Sequence, residues 1–128
     1  MKICHAAIWA GDIELLRNFY TRYFGATAGA RYHNSAKVFT SYFLTFPDGG
    51  AALEIMNVPG IIDRGFSGKI RGLCHLAISV GSKERVNEFT ERMRADGVRI
   101  LSNPRTTGDG YYESVIADPE GNIVELTI

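Results

Sequence analysis

The 128-residue chain carries 14 basic and 14 acidic residues, so its formal charge is zero, and no Lys/Arg run forms the basic footprint that nucleic acid would need. Hydrophobic residues make up 45% of the chain, enough to build the core of one compact domain or of two small halves, which excludes a disordered chain. No apolar run approaches the ~18 residues of a membrane helix, and the N-terminal stretch is too interrupted for a signal-peptide core; the expectation is a soluble cytoplasmic protein with no membrane partner.

In chain order, a strand is expected over 2–9, broken by Gly11-Asp12. Asp12 is a fitting N-cap for a helix over 13–24, where Ile13, Leu16, Phe19, Tyr20, Tyr23 and Phe24 recur at helical spacing, and Gly25 closes it. Strands follow near 28–33 and 37–46, then a Pro47-Asp48-Gly49-Gly50 turn and a strand over 51–58. Glycines at 60, 65, 68 and 72, with Pro59, mark a connector over 59–71. The second half repeats the order. A strand over 73–80 leads to Ser82, the N-cap of a helix over 83–96 with Val86, Phe89, Thr90 and Met93 on its inner stripe. Gly97 ends that helix; strands near 98–102 and 112–117, an Asp118-Pro119-Glu120-Gly121 turn and a last strand running to 128 complete it. The fold class is therefore α+β: one domain over 1–128 made of two tandem β-α-β-β-β modules, 1–58 and 72–128.

The two halves also repeat their chemistry. His5-Ala-Ala-Ile in one half answers His75-Leu-Ala-Ile in the other, 70 positions apart, and Glu54 answers Glu125, 71 apart. Each histidine stands early in the first strand of its half and each glutamate midway along the last. Alternation puts Glu54 on one face with Ala52 and Met56, and Glu125 with Ile123 and Thr127. An ionised carboxylate among such neighbours is costly unless a metal or another positive partner meets it. Taken singly, a strand histidine or glutamate is ordinary; the same pair kept in both copies points to His5, Glu54, His75 and Glu125 converging on one divalent ion. Two imidazoles and two carboxylates suit Zn²⁺, Ni²⁺, Co²⁺, Fe²⁺ or Mn²⁺. Cys4 and Cys74 recur too, but their spacing is unlike a compact thiolate motif, and both are expected to be small buried hydrophobes. His33 has no counterpart in the second half and is expected at a loop or strand edge.

The paired modules and the ending Asp118-Pro119-Glu120-Gly121-Asn122-Ile123-Val124-Glu125-Leu126 resemble the vicinal oxygen chelate superfamily, and glyoxalase I in particular. The resemblance covers the chain from His5 onward. It implies β-α-β-β-β modules forming a curled mixed sheet around a metal cleft, in a homodimer whose sites can draw on both chains. It also implies the metal ligands His5, Glu54, His75 and Glu125, with Ni²⁺ or Co²⁺ favoured. Extradiol dioxygenases use His, His and Glu, and methylmalonyl-CoA epimerase has glutamine at the second position, so Glu54 favours the glyoxalase-like branch. The glutathione-binding positions match less well. Trp9 stands where the family's arginine would be, Asn57 lies three residues after Glu54 rather than four, and no basic residue occurs over 106–110.

The implied activity is lyase or isomerase action on an α-oxoaldehyde thiol adduct. The metal acts as a Lewis acid, and Glu125, or else Glu54, moves a carbon-bound proton through an enediolate. Trp9, with Phe39, Tyr42 or Tyr112, would line an aromatic substrate wall or pack as ordinary core. Alternatives are another metal-dependent member of the superfamily, an epimerase or ring-cleaving dioxygenase, and a non-catalytic drug-sequestering protein.

Overall fold

The structure is a computed structural model describing residues 1–62 and 71–128. It divides into two compact units, Met1–Phe66 and Ser67–Ile128, a division that falls inside the expected connector; most of that connector lies outside the described residues.

In the first unit, β1 (His5–Trp9) leads to α1 (Ile13–Phe24), then β2 (Thr27–Ala28), β3 (Tyr32–Asn34), β4 (Phe39–Thr45) and β5 (Ala52–Asn57). The strand order is β1-β5-β4-β2, with β3 also pairing β4. The return of α1 across the sheet lets β1 and β5 run parallel, while β5 pairs antiparallel with β4 across the turn at 46–51. The helix forms where its caps dictate. The Asp12 carboxylate accepts from the amides of Glu14 and Leu15 at 2.9 and 3.0 Å, and Gly25 takes a left-handed φ of 63° that ends the helix. All six residues of the expected stripe are buried, and they meet Tyr42, Leu44, Leu53 and Ile55 from the sheet. Asp12→Ala is expected to cost about 1 kcal/mol of stability, read as a lowered melting temperature with the fold retained.

The expected run over 28–33 is two short strands instead of one. β2 pairs with Leu44 and Thr45, and β3 with Phe39, Thr40 and Ser41; between them Gly29 still donates to the Phe43 carbonyl at 2.9 Å. Both pieces follow β4, so the irregularity is local. His33 lies on β3, exposed, at the sheet edge.

The second unit contains β6 (Leu76–Ser79), α2 (Lys83–Ala95), β7 (Ile100–Thr106), β8 (Tyr112–Ala117) and β9 (Ile123–Thr127), in the order β6-β9-β8-β7. β6 and β9 are parallel and the remaining pairs antiparallel. Ser82 caps α2 by accepting from the Arg85 amide, and Val86, Thr90 and Met93 are buried beneath it, with Phe89 half-buried under the Arg85 guanidinium. The helix stops at Ala95, with Asp96 as the cap and Gly97 in the left-handed region at φ 82°. Thr90 and Ser114 share a buried hydroxyl–hydroxyl bond of 2.7 Å between helix and sheet. Their mutual pairing lets two polar side chains stand in a core otherwise built of Ile116, Val124 and Leu126.

The Asp118 turn is held by its own carboxylate. Oδ1 accepts from the amides of Glu120 and Asn122 at 3.0 and 2.9 Å, and Oδ2 from the Asn122 side chain at 2.8 Å. Asp118 is only 4% exposed, so this local ring of donors both satisfies the charge and fixes where β9 begins.

Two expectations are corrected. The opening strands are shorter than 2–9 and 73–80, and Cys4 and Cys74 are exposed rather than buried. Each cysteine precedes its strand and gains no cover from the paired sheet, whose buried positions come later in the ladder. Among the described residues no helix is long and apolar enough to cross a membrane.

Candidate functional site

Each sheet has one face covered by its helix and one left open, and the alternation along the last strand decides which residue goes where. On β5, Leu53 and Ile55 are buried toward α1, while Ala52, Glu54 and Met56 occupy the open face. On β9, Val124 and Leu126 are buried toward α2, while Ile123, Glu125 and Thr127 are on the open face. Glu54 stands opposite Ala7 on β1 and Phe43 on β4; Glu125 stands opposite Ala77 on β6 and Val115 on β8. The small alanine at each crossing leaves the glutamate room to lean toward the histidine two residues earlier.

The two units build the same pair. His5 Nε2 lies 3.9 Å from Glu54 Oε2, and His75 Nε2 lies 3.5 Å from Glu125 Oε2. In both, the histidine is the more open partner (45% and 43% exposed) and the carboxylate the more enclosed (14% and 19%). The His5 ring is further set by an edge-on contact with Phe43 at 5.3 Å. Two donors bonded to one ion at about 2.0–2.2 Å are themselves roughly 3 Å apart, so both pairs need only small side-chain rotations to chelate. Each pair, one imidazole and one carboxylate, therefore offers donors that suit a divalent metal. Among the described residues no group of three or more His, Cys, Asp and Glu side chains is gathered to hold an ion, so each unit alone supplies two donors and not a closed site.

The units differ in the row next to each glutamate. Across the first sheet that row runs Trp9, Met56, Ser41, Tyr32; across the second, at matching register, it runs Ser79, Thr127, Glu113, Arg105. One is aromatic and apolar, the other polar and charged. In the charged row, Arg105 donates to Glu113 Oε1 at 3.1 Å and through Nε to Ser102 Oγ at 3.1 Å. Glu113 is 8% exposed and shares the open face with Glu125. Burial, followed by the neighbouring Glu113 carboxylate, pushes the Glu125 carboxyl above the usual carboxylate range, with His75 pulling the other way. Ser41 occupies the matching place beside Glu54, so the second carboxylate has no counterpart in the first unit.

Other expected site residues fall on both faces. Trp9 is on the His5 face, exposed, with its ring edge-on to Phe39 at 6.5 Å. Tyr42 and Tyr112 face the helices. Tyr42 Oη donates to Glu14 at 2.7 Å, and Tyr112 Oη donates to Asn87 at 2.9 Å beneath the Lys83 ammonium. Asn57 shares the helix-facing side with Leu53 and Ile55 and donates to the carbonyls of Ala10 and Gly11, fixing the β1–α1 corner. The structure does not bring Asn57 or Tyr112 to the glutamate faces. Arg105 and Glu113 were missed by sequence reasoning. Arg105 lies one residue before the 106–110 stretch, on β7 opposite Glu113, and the period-two alternation of β8 against β9 is the sequence signal that places Glu113 with Glu125.

The chain belongs to the Glyoxalase/Bleomycin resistance protein/Dioxygenase superfamily, whose family model matches residues 2–126. It is similar to a glyoxalase family protein from Enterococcus faecalis, with a TM-score of 0.81, 26% identity and coverage of 99% of this chain and 97% of that one. It is similar in fold to glyoxalase I from Zea mays, with a TM-score of 0.75 and 24% identity over 98% of this chain but only 44% of the plant protein. Among curated proteins it is 41% identical over 58 residues to the uncharacterized protein YqjT of Bacillus subtilis (strain 168), a stretch covering 43% of this chain and 45% of that protein.

Proposed function

We propose that the protein is a metal-dependent, glyoxalase I-like lyase or isomerase acting on the adduct of an α-oxoaldehyde with a thiol. The observation that carries this reading is the duplicated His–Glu pair, open-faced and of like geometry in both units. His5, Glu54, His75 and Glu125 would hold one divalent ion, with Ni²⁺ or Co²⁺ favoured and Zn²⁺, Fe²⁺ or Mn²⁺ also suited to the donors, within one chain or across a homodimer. Such an ion would supply the Lewis-acid charge that stabilises a developing oxyanion.

The chain's own residues handle the proton. Glu125, with the second carboxylate of Glu113 on the same face, would take the proton from the carbon bearing the substrate hydroxyl; the electron pair of that C–H bond moves toward the neighbouring carbonyl and gives an enediolate. The same carboxyl returns the proton to the adjacent carbon while the hydroxyl proton passes to the former carbonyl oxygen, so the step is a net isomerisation with no external oxidant or reductant. Glu54, lacking a second carboxylate beside it, remains a ligand. The family likeness and the fold-level likeness to the Zea mays enzyme support the reaction class; Trp9 in place of the expected arginine argues for a thiol other than glutathione. The exposed aromatic row favours, as a second reading, another metal-dependent enzyme of the superfamily with an aromatic substrate.

Elemental analysis of the untagged protein and of a His5→Ala, His75→Ala double variant tests the proposal. About one Ni, Co, Zn, Fe or Mn per site, lost in the variant together with hemithioacetal isomerisation, is the expected result. An intact fold that takes up no metal after reconstitution would turn the reading toward a small-molecule binding protein.

A further inference from the structure

We infer that Glu113 is a positioning residue: it occupies the Arg105 guanidinium and so leaves the Glu125 carboxylate turned toward His75. The inference rests on the proposed function, in which Glu125 is ligand and base, and adds how that side chain is kept in place. β9 lies between β6 and β8, so Glu125 has two directions in which to lean. On the β6 side, just before that strand begins, is His75, 3.5 Å from its carboxylate. On the β8 side is the charged row, with Arg105 on β7 opposite Glu113 on β8. A guanidinium within reach is a strong rival for a carboxylate ligand, because its fork of donors matches both oxygens. β7 stands two strand spacings, about 10 Å, from β9, a gap that extended Arg and Glu side chains can close between them.

Glu113 stands in that gap. Its Oε1 accepts from Arg105 Nη2 at 3.1 Å, while Arg105 Nε donates to Ser102 Oγ at 3.1 Å. Residues three apart on a regular strand face opposite ways; the register shift between Ser102 and Arg105 is what lets these two meet. Glu113 pairs with Thr127, one same-face step along β9 from Glu125, and the two carboxyl groups come within hydrogen-bond reach. At 8% exposure Glu113 has little room to swing aside. The Arg105 side chain is 55% exposed, so these two bonds hold it and not packing. The first unit is the internal contrast. Ser41 takes the place of Glu113 there, and Tyr32 the place of Arg105. Where the row carries no rival cation, it carries no second carboxylate either.

Co²⁺ affinity, read by competition with a chromophoric chelator, tests this in the parent, Glu113→Gln, Glu113→Leu and the double variant Glu113→Leu, Arg105→Ala. Gln and Leu are both close to Glu in size, and melting curves check that each protein is folded. Gln keeps an oxygen for Arg105, so Glu113→Gln is expected to bind Co²⁺ nearly as tightly as the parent. Leu offers none, and Glu113→Leu is expected to bind about tenfold more weakly, the scale on which lost orienting partners act. Removing Arg105 as well is expected to restore the affinity. Equal losses in Glu113→Gln and Glu113→Leu would mean that charge alone matters and would overturn the inference; so would a loss that persists in the double variant. Co²⁺ bound in the expected order without hemithioacetal isomerisation keeps the inference and removes the proposed reaction. A second readout needs no metal. In chelator-treated protein of the Glu113→Leu background, Arg105→Ala should lower the melting temperature when Glu125 is intact and not in Glu125→Gln, since the freed guanidinium then pairs with Glu125. Absence of that coupling overturns the inference. Its presence, in a parent that takes up no metal, keeps the inference and removes the metal reading.

Discussion

Glu125→Gln is expected to lower turnover by about 10²–10⁴-fold, with the larger loss at Glu125 than at Glu54→Gln. The amide keeps the shape and one oxygen for coordination but cannot accept and return a proton. The asymmetry comes from the second carboxylate. Glu113 lies on the open face beside Glu125, whereas Ser41 takes its place beside Glu54. The same variant has a stability signature in metal-free protein. The folded-state pKa of Glu125 is raised above the ordinary 4.5, so the folded chain holds its proton more tightly than the unfolded chain does. The ionised form therefore destabilises the fold: the penalty is absent below the ordinary value, grows as pH rises toward the raised one, and is complete above it. In a chelator, Glu125→Gln should melt higher than the parent at neutral pH, the gap closing as pH falls through the carboxylate range. Melting curves that coincide at every pH would remove the physical basis for choosing Glu125 as the base.

The elements legible in the sequence were those written by local chemistry. Asp12 and Gly25 bound the first helix at the residues they occupy, Ser82 begins the second, and both stripes face inward apart from the half-buried Phe89. The Asp118 turn was legible because its one side chain satisfies three donors locally. The His–Glu pairs were legible because duplication and strand alternation are both sequence properties; each pair is now seen on one open face. What stayed hidden depends on pairing between strands. The split of the 28–33 run, the exposure of Cys4 and Cys74, and the helix-facing turn of Tyr112 all follow from where a ladder starts and which parity it takes. A row such as Ser79, Thr127, Glu113, Arg105 crosses four strands and is written in no contiguous stretch of chain.

Ile55→Ala and Leu126→Ala are each expected to cost about 2–5 kcal/mol, since both residues are fully buried against a helix and the truncation leaves a cavity. That corresponds to a fall in melting temperature of roughly 8 °C or more, measured with the metal removed so that binding does not mask it. These residues immediately follow Glu54 and Glu125 and point to the opposite face. Adjacent positions on one strand thus carry separable duties. Replacing Glu125 by Gln should reduce turnover while raising metal-free stability at neutral pH, and replacing Leu126 by Ala should lower stability while leaving the chemistry of the surviving folded fraction near normal. If Leu126→Ala instead removed turnover in fully folded, metal-loaded protein, the two faces of β9 would not be independent, and the glutamate's position would depend on core packing beyond what its backbone register provides.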